Sequence, residues 1–198
     1  MVRAYDPDRP VDRAALSRLF DAATRAPSAG FSQGWDFVVL TRPDDRRRFW
    51  DCARPDPAVT PDSWLTGLAT APALILCLSD PGTYLDRYAE PDKGYTDRDP
   101  ARWTIPYWDV DTGMAALLAL LTAVDEGLAA CFFGVPNGRH DAVREAFDVP
   151  AGRRIVGVVS VGHPAPDRRS PSLRRGRRPV VDVAHDGRFG VPWTAPPD

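Results

Sequence analysis

Along this chain the spacing of apolar positions changes repeatedly, and each change marks a predicted element. Over residues 13–25 the apolar side chains fall at Ala15, Leu16, Leu19, Phe20 and Ala23, one face of a helix, with Asp12 placed to cap it. Pro27 biases Ala26 away from helix, so Pro27-Ser28-Ala29-Gly30 ends the element. Trp35–Leu40 (WDFVVL) reads as a strand, and Pro43 opens a short helix over residues 43–50. Residues 73–78 (ALILCL) form a fully apolar second strand. Asp111 is expected to cap a helix over 112–126, closed by Gly127. A third strand over 128–133, a short helix over 140–147 and a fourth strand over 155–161 complete the pattern. Strands alternating with helices indicate an α/β or α+β sandwich.

Two segments depart from this rhythm. The helix over 112–126 is apolar nearly all round, through Met114, Leu117, Leu118, Leu120, Leu121 and Val124. Such a helix is expected to be buried on every side, which in so short a chain calls for a partner subunit. Residues 79–108 are the least regular stretch and hold Tyr84, Tyr88, Tyr95, Trp103, Tyr107 and Trp108 among many charges. Irregular segments this long inside compact domains are usually functional or disordered, and this one is a candidate lid.

The length of 198 residues fits one domain, 1–198, with 79–108 as an excursion from it. A chain of this size buries roughly 70% of its unfolded surface. With 43% hydrophobic residues, disorder is excluded as the main state. The longest apolar run, 113–124, is shorter than the roughly 20 residues that cross a bilayer, so no membrane partner is expected. No basic segment followed by an apolar one opens the chain, and the expected location is cytoplasmic. Cys52, Cys77 and Cys131 are far apart, without ligand spacing, and point to no zinc site.

The net charge of −2 hides an asymmetry. Residues 151–198 carry 9 basic and 4 acidic side chains, whereas residues 1–150 carry 16 and 23. The pairs Arg174-Arg175 and Arg177-Arg178 give the tail an anion-binding character, or simply a solvated basic surface. Nucleic acid is a poor fit, because no recognised binding motif is present and the domain is acidic overall.

No nucleophile elbow, Walker lysine motif, zinc-binding H-E-x-x-H or dinucleotide glycine fingerprint follows any strand. The three histidines, His140, His163 and His185, are scattered. Enzymatic chemistry here would therefore be carried by a cofactor rather than by a side-chain nucleophile. Three segments could hold an anionic one: residues 25–35, the turn Gly134-Val135-Pro136-Asn137-Gly138, and residues 174–179. On composition alone the first two serve equally as plain turns.

Taken in order, these segments resemble the flavin-dependent nitroreductase superfamily. Arg3-Ala4-Tyr5 matches the latter half of that family's phosphate-binding R-R-S-x-R-x-F/Y start. Ala26-Pro27-Ser28 with Gln33-Gly34-Trp35 matches its A-P-S-x-x-N-x-Q-P-W turn. Asp111, Gly113, Ala115 and Gly127-Leu128 match its D-x-G-x-A helix ending in G-L. Val159, Gly162 and Pro164 match its V-x-x-G-x-P strand end, and Arg175, Arg177 and Pro179 its R-x-R-x-P tail.

The resemblance implies an α+β fold: a nitroreductase-like α/β/α sandwich around a mainly antiparallel sheet, forming an obligate homodimer with FMN at the subunit interface. Carried over by position, Arg3, Arg175 and Arg177 would contact the FMN phosphate. Pro27, Ser28 and Ala29, with Phe31 and Gln33 in the same turn, would line the flavin edge, and Gly134 would offer a backbone N–H near N5. Catalysis would be a two-step transfer of reducing equivalents from NAD(P)H through FMN to a small, aromatic organic acceptor. Tyr84, Tyr88, Trp103, Tyr107 and Trp108 are the candidate substrate-stacking residues; alternatively they pack the excursion onto its own subunit. Phe31 replaces a common asparagine and Gly34 the usual proline. The spelling A-P-S-A-G-F-S-Q-G-W is closer to the flavin-cleaving dimethylbenzimidazole synthase branch. Flavin cleavage, reductive dehalogenation, a non-catalytic flavin-binding protein and a flavin-free anion-binding protein are the alternatives.

Overall fold

A computed structural model of the chain describes residues 2–54, 62–167 and 170–194. They cluster into two compact units, Met1–Asp167 and Arg168–Asp198.

The first unit is built on a four-stranded sheet of β1 (Trp35–Leu40), β2 (Ala73–Ser79), β3 (Ala129–Phe133) and β4 (Arg154–Gly162). The strand order is β1-β2-β4-β3 and every neighbouring pair is antiparallel. Strand β2 is buried along its whole length, as its unbroken apolar run requires. Its side chains alternate between two cores. Ala73, Ile75 and Cys77 face helices α1 (Arg13–Ala23) and α5 (Tyr107–Asp125). Leu74, Leu76 and Leu78 face the side of α2 (Pro43–Ala53), α3 (Ser63–Ala69) and α6 (His140–Ala146). The result is the expected α+β sandwich, with helices on both faces of one sheet.

Local chemistry sets most boundaries. Asp12 caps α1 by accepting from Ala14 N–H. At the end of α5, Gly127 takes φ +70° and Leu128 N–H reaches back to the Ala123 carbonyl at 2.8 Å, a Schellman closure. Three expectations need correction. Helix α3 lies outside the pattern the sequence predicts, since its seven residues carry too short a repeat to register. Helix α5 begins at Tyr107, so Asp111 is an interior, buried residue and not a cap. The excursion opens with a regular helix, α4 (Pro81–Tyr88), whose N-cap Asp80 accepts from Gly82 N–H.

Helix α5 is also not buried on every side within the chain. Ala115, Ala116, Ala119 and Ala123 pack inward, whereas Val110, Leu117, Leu121 and Val124 form an exposed stripe. At 19 residues and mean hydropathy 1.2, it is long and apolar enough to cross a membrane by length and composition alone. Its inner face instead lies on α1 and the sheet and contains the buried Asp111.

The second unit holds two short 3-10 turns, Pro171–Arg175 and Val180–Asp182, and a reversal in which Trp193 N–H bonds to the Ala184 carbonyl. The His185 and Phe189 rings lie 4.5 Å apart within that reversal.

The cysteines give a direct check on the packing. None is in a disulfide, and burial pushes the Cys77 thiol up to about 12. At pH 8 the Cys77 thiolate is therefore scarce. A thiol reagent is expected to label half-buried Cys52 first in the folded protein and to reach Cys77 only on unfolding. Mass-mapped labelling of Cys77 before Cys52 would contradict the buried central strand.

Candidate functional site

Helix α1 leads into β1 through residues 24–34, and this turn is unusually constrained. Gly30, Phe31 and Gln33 all lie in the left-handed region, with φ of 63°, 56° and 53°. For Phe31 and Gln33 that conformation costs on the order of 1 kcal/mol each. It persists only because neighbours hold it. Within the turn, Ser28 Oγ accepts from Gln33 N–H at 3.0 Å and the Ser28 carbonyl from Phe31 N–H at 2.9 Å. The Ser32 hydroxyl donates to the Ala29 carbonyl at 2.7 Å.

Two residues from other elements reach the turn. Asp111 Oδ2, on α5, accepts from Ala29 N–H at 2.8 Å, and Arg87 Nε, on α4, donates to the Gly30 carbonyl at 2.9 Å. Asp111 is only 1% exposed, and the same Oδ2 also accepts from the Tyr84 hydroxyl at 2.8 Å. Burial, and then the bond to Asp111 and its charge, drive the Tyr84 phenol well above its ordinary pKa. Tyr84 therefore stays protonated and donating throughout the useful pH range. A backbone hydrogen bond at Gly34 acts in the opposite direction.

Gly34 explains one departure from the family spelling. A side-chain carbon there would stand 2.6 Å from Tyr84 Cε2 and 3.0 Å from the Asp80 carbonyl. Proline cannot fit beneath this ring, so the glycine and Tyr84 belong to one packing solution. Asp80 adds to it. It pairs with Arg153 at 2.7 Å, and Arg153 also bonds to Asp36 at 2.6 Å, tying β1 and the start of α4 to the residue that precedes β4.

The remaining candidate residues are distributed as follows. Pro27, Phe31 and Gln33 are exposed, Phe31 by 75%, while Ser28 and Ala29 are half-buried. Ser28 Oγ, already an acceptor, keeps its hydroxyl hydrogen as a donor. Gly134, just past the end of β3, is exposed, and a side-chain carbon there would meet nothing within 4 Å. Arg3 lies beside Asp167, its Nε 3.6 Å from Oδ2 and its amide donating to the same oxygen. Any anion that Arg3 receives must compete with that carboxylate. Arg175 and Arg177 are exposed in the second unit, and among the described residues neither makes an ion pair.

The aromatics of the excursion pack largely on one another. Trp103 is the hub, 4.6 Å from Tyr88, 5.6 Å from Trp108 and 6.0 Å from both Tyr84 and Tyr107. Tyr84 and Trp108 are buried in this cluster and have almost no surface to offer a ligand. Tyr88 and Trp103 are half-buried, and Tyr107 is exposed. Tyr88, Tyr95 and Trp103 also line a pocket with Leu85, Asp97, Asp99 and Arg102. The Arg102 fork holds Asp97 below the usual carboxylate range.

Asp111 is the residue that sequence reasoning misplaced. The available signal was helical phase: Asp111 precedes inward-facing Ala115 by four positions, so a helix begun at Tyr107 turns it into the core.

Comparisons with known proteins place this architecture. The nitroreductase family profile matches residues 1–163. A protein of Archaeoglobus fulgidus, provisionally named an NADH dehydrogenase/NAD(P)H nitroreductase, is 27% identical over 173 residues, 84% of this chain and 82% of its own. Among solved structures, an FMN-dependent nitroreductase of Clostridium difficile superposes with a TM-score of 0.67 at 21% identity, covering 95% of this chain and 94% of the other. Nitroreductase A of Vibrio parahaemolyticus gives 0.71 at 21% identity, covering 95% and 72%. At those identities the structures speak for the fold, and the profile match speaks for the lineage. The chain belongs to the nitroreductase family, a family of oxidoreductases.

Proposed function

We propose that this chain is an FMN-dependent NAD(P)H oxidoreductase that reduces a small, aromatic organic acceptor and works as a homodimer. The observation that carries this reading is the turn over 27–33: a strained backbone, fixed from beneath by Asp111 and flanked by exposed Pro27, Phe31 and Gln33. Strain of this kind clusters at ligand-binding and active sites. The residues present fit a flavin edge. Ser28 keeps a hydroxyl hydrogen to donate, and the space over Gly134 admits a flat ring close to backbone. FMN and NAD(P)H appear in the names of the Clostridium and Archaeoglobus relatives, respectively.

When bound, FMN supplies the two-electron redox chemistry. The chain's part is to hold and orient it: Pro27, Ser28 and Ala29 against the ring edge, and the Gly134 amide as a donor. Arg3 in the first unit, and separately Arg175 and Arg177 in the second, are each proposed as phosphate contacts, because guanidinium forks suit an anion. Tyr88, Trp103 and Tyr107 have the free ring surface that an aromatic acceptor can use, whereas Tyr84 and Trp108 support them from below. The exposed stripe Val110, Leu117, Leu121 and Val124 suits a second copy of the chain.

The purified protein is expected to be yellow with stoichiometric flavin, to regain it when stripped protein is titrated with FMN, and to bleach on anaerobic mixing with NADH or NADPH. A colourless protein that ignores added FMN overturns the proposal. A yellow one that neither nucleotide bleaches overturns the catalytic half of it.

A further inference from the structure

Asp111, Tyr84 and the turn at Ala29 form one hydrogen-bonded unit, built from three elements far apart in the chain. Both donors converge on a single carboxylate oxygen, Oδ2, at 2.8 Å each, and both acidic and phenolic side chains are buried. The unit grips the turn at Ala29, the residue before left-handed Gly30 and Phe31, with left-handed Gln33 two residues further on. Helix α4 adds two further grips on the same turn: Arg87 on the Gly30 carbonyl, and the Tyr88 ring, whose Cε2 would lie 2.7 Å from a side-chain carbon at Gly30.

We propose that Asp111 is a positioning residue for the cofactor-edge turn, acting through the Ala29 amide, with Tyr84 locking the carboxylate and so coupling α4 to the site. This rests on the flavin reading above. A turn that holds two non-glycine residues in the left-handed region relaxes once its external anchor is removed, and Ser28 and Ala29 then lose their fixed presentation. Asp111 does this by accepting two bonds at one oxygen, which a neutral amide oxygen with two lone pairs can also do. Its role is therefore geometric, and charge is not required for it. Tyr84 limits which way the carboxylate can turn, because its own ring is pinned against Gly34 and Trp108.

The test compares FMN dissociation constants by flavin fluorescence quenching, together with the visible circular dichroism of the bound ring. Asp111→Ala is expected to weaken FMN binding by about tenfold or more and to flatten the dichroism, the scale of leaving buried donors without an acceptor. Asp111→Asn is expected to stay within about threefold of the unmodified protein, since its amide oxygen accepts both donors. Tyr84→Phe keeps the ring and removes only the hydroxyl, so it reports even if Asp111→Ala fails to fold, and an intermediate loss is expected. Val143→Ala, in the core on the opposite face of the sheet, supplies a destabilised protein whose FMN affinity is expected to be unchanged. Equal affinity in the unmodified protein and both Asp111→Ala and Tyr84→Phe overturns the proposal. So does a loss in Asp111→Asn as large as in Asp111→Ala, or a matching loss in Val143→Ala. Failure of the unmodified protein to bind FMN is a separate result, which overturns the functional reading on which the proposal stands.

Discussion

Gly67→Ala is expected to destabilise the protein by about 3 kcal/mol, the upper end of what overpacking costs. The substitution looks favourable from sequence. Gly67 lies inside helix α3, and alanine there gains roughly 1 kcal/mol of helix propensity. The structure reverses the sign. A side-chain carbon on Gly67 would lie far inside van der Waals contact with the Arg3 carbonyl oxygen, and its next neighbours are also Arg3 and Ala4 backbone. Backbone cannot swing aside as a flexible side chain can, and this stretch is tied on several sides. Tyr5 N–H bonds to Thr70 Oγ1 at 2.9 Å, and the Thr70 hydroxyl in turn to the Gly67 carbonyl. The Tyr5 hydroxyl is buried against the Val2 carbonyl and Ser160 Oγ, each at 2.8 Å. The Ala4 carbonyl accepts from Ala165 N–H at 3.1 Å. Thermal unfolding of Gly67→Ala is therefore expected to fall by several degrees, and Arg3 to be displaced with its segment. A melting temperature raised by the propensity gain would show that residues 3–4 do not lie on α3. A parallel FMN titration then reports whether displacing Arg3 matters to the cofactor.

A larger loss is expected from Phe49→Ala, about 3–5 kcal/mol, as for other fully buried phenylalanines. Phe49 is 0% exposed. Its ring meets Trp50 edge-on at 5.0 Å and Phe133 at 6.3 Å, and Trp50 stacks on Phe133 at 5.5 Å with 11° between the planes. Trp64 closes the cluster, edge-on to Phe133 at 6.2 Å. Phe133 is the last residue of β3 and the one before Gly134, so this cluster fixes the exit from which the Gly134 amide projects. For a domain of this size the loss corresponds to roughly 10 °C in melting temperature. A drop of less than about 2 °C would mean that α2 is not seated on this end of the sheet.

The legibility of the candidate site varied with the range of the forces that build it. The turn after α1 was readable because Pro27 and the small residues around it act locally, and the same holds for the Asp12 cap and the Gly127 closure. The family order of short matches along the chain carried the rest of the recognition, and the family match over residues 1–163 supports those of them that fall within it. The aromatic residues of 79–108 could be named from sequence, but not their division of labour. Burial separates Tyr84 and Trp108 from Tyr88, Trp103 and Tyr107, and burial is a property of the packed excursion.

By itself, the sequence determined the strands, four of the six α-helices among the described residues in outline and the fully apolar character of β2, because periodicity and capping are written in residues a few positions apart. Only the tertiary structure decided that Asp111 faces inward onto Ala29, that Gly34 must leave room for Tyr84, and that Gly67 lies under Arg3. Those contacts join residues some 50 to 80 positions apart, and no local pattern encodes which buried donor will meet which acceptor once the helices have docked on the sheet.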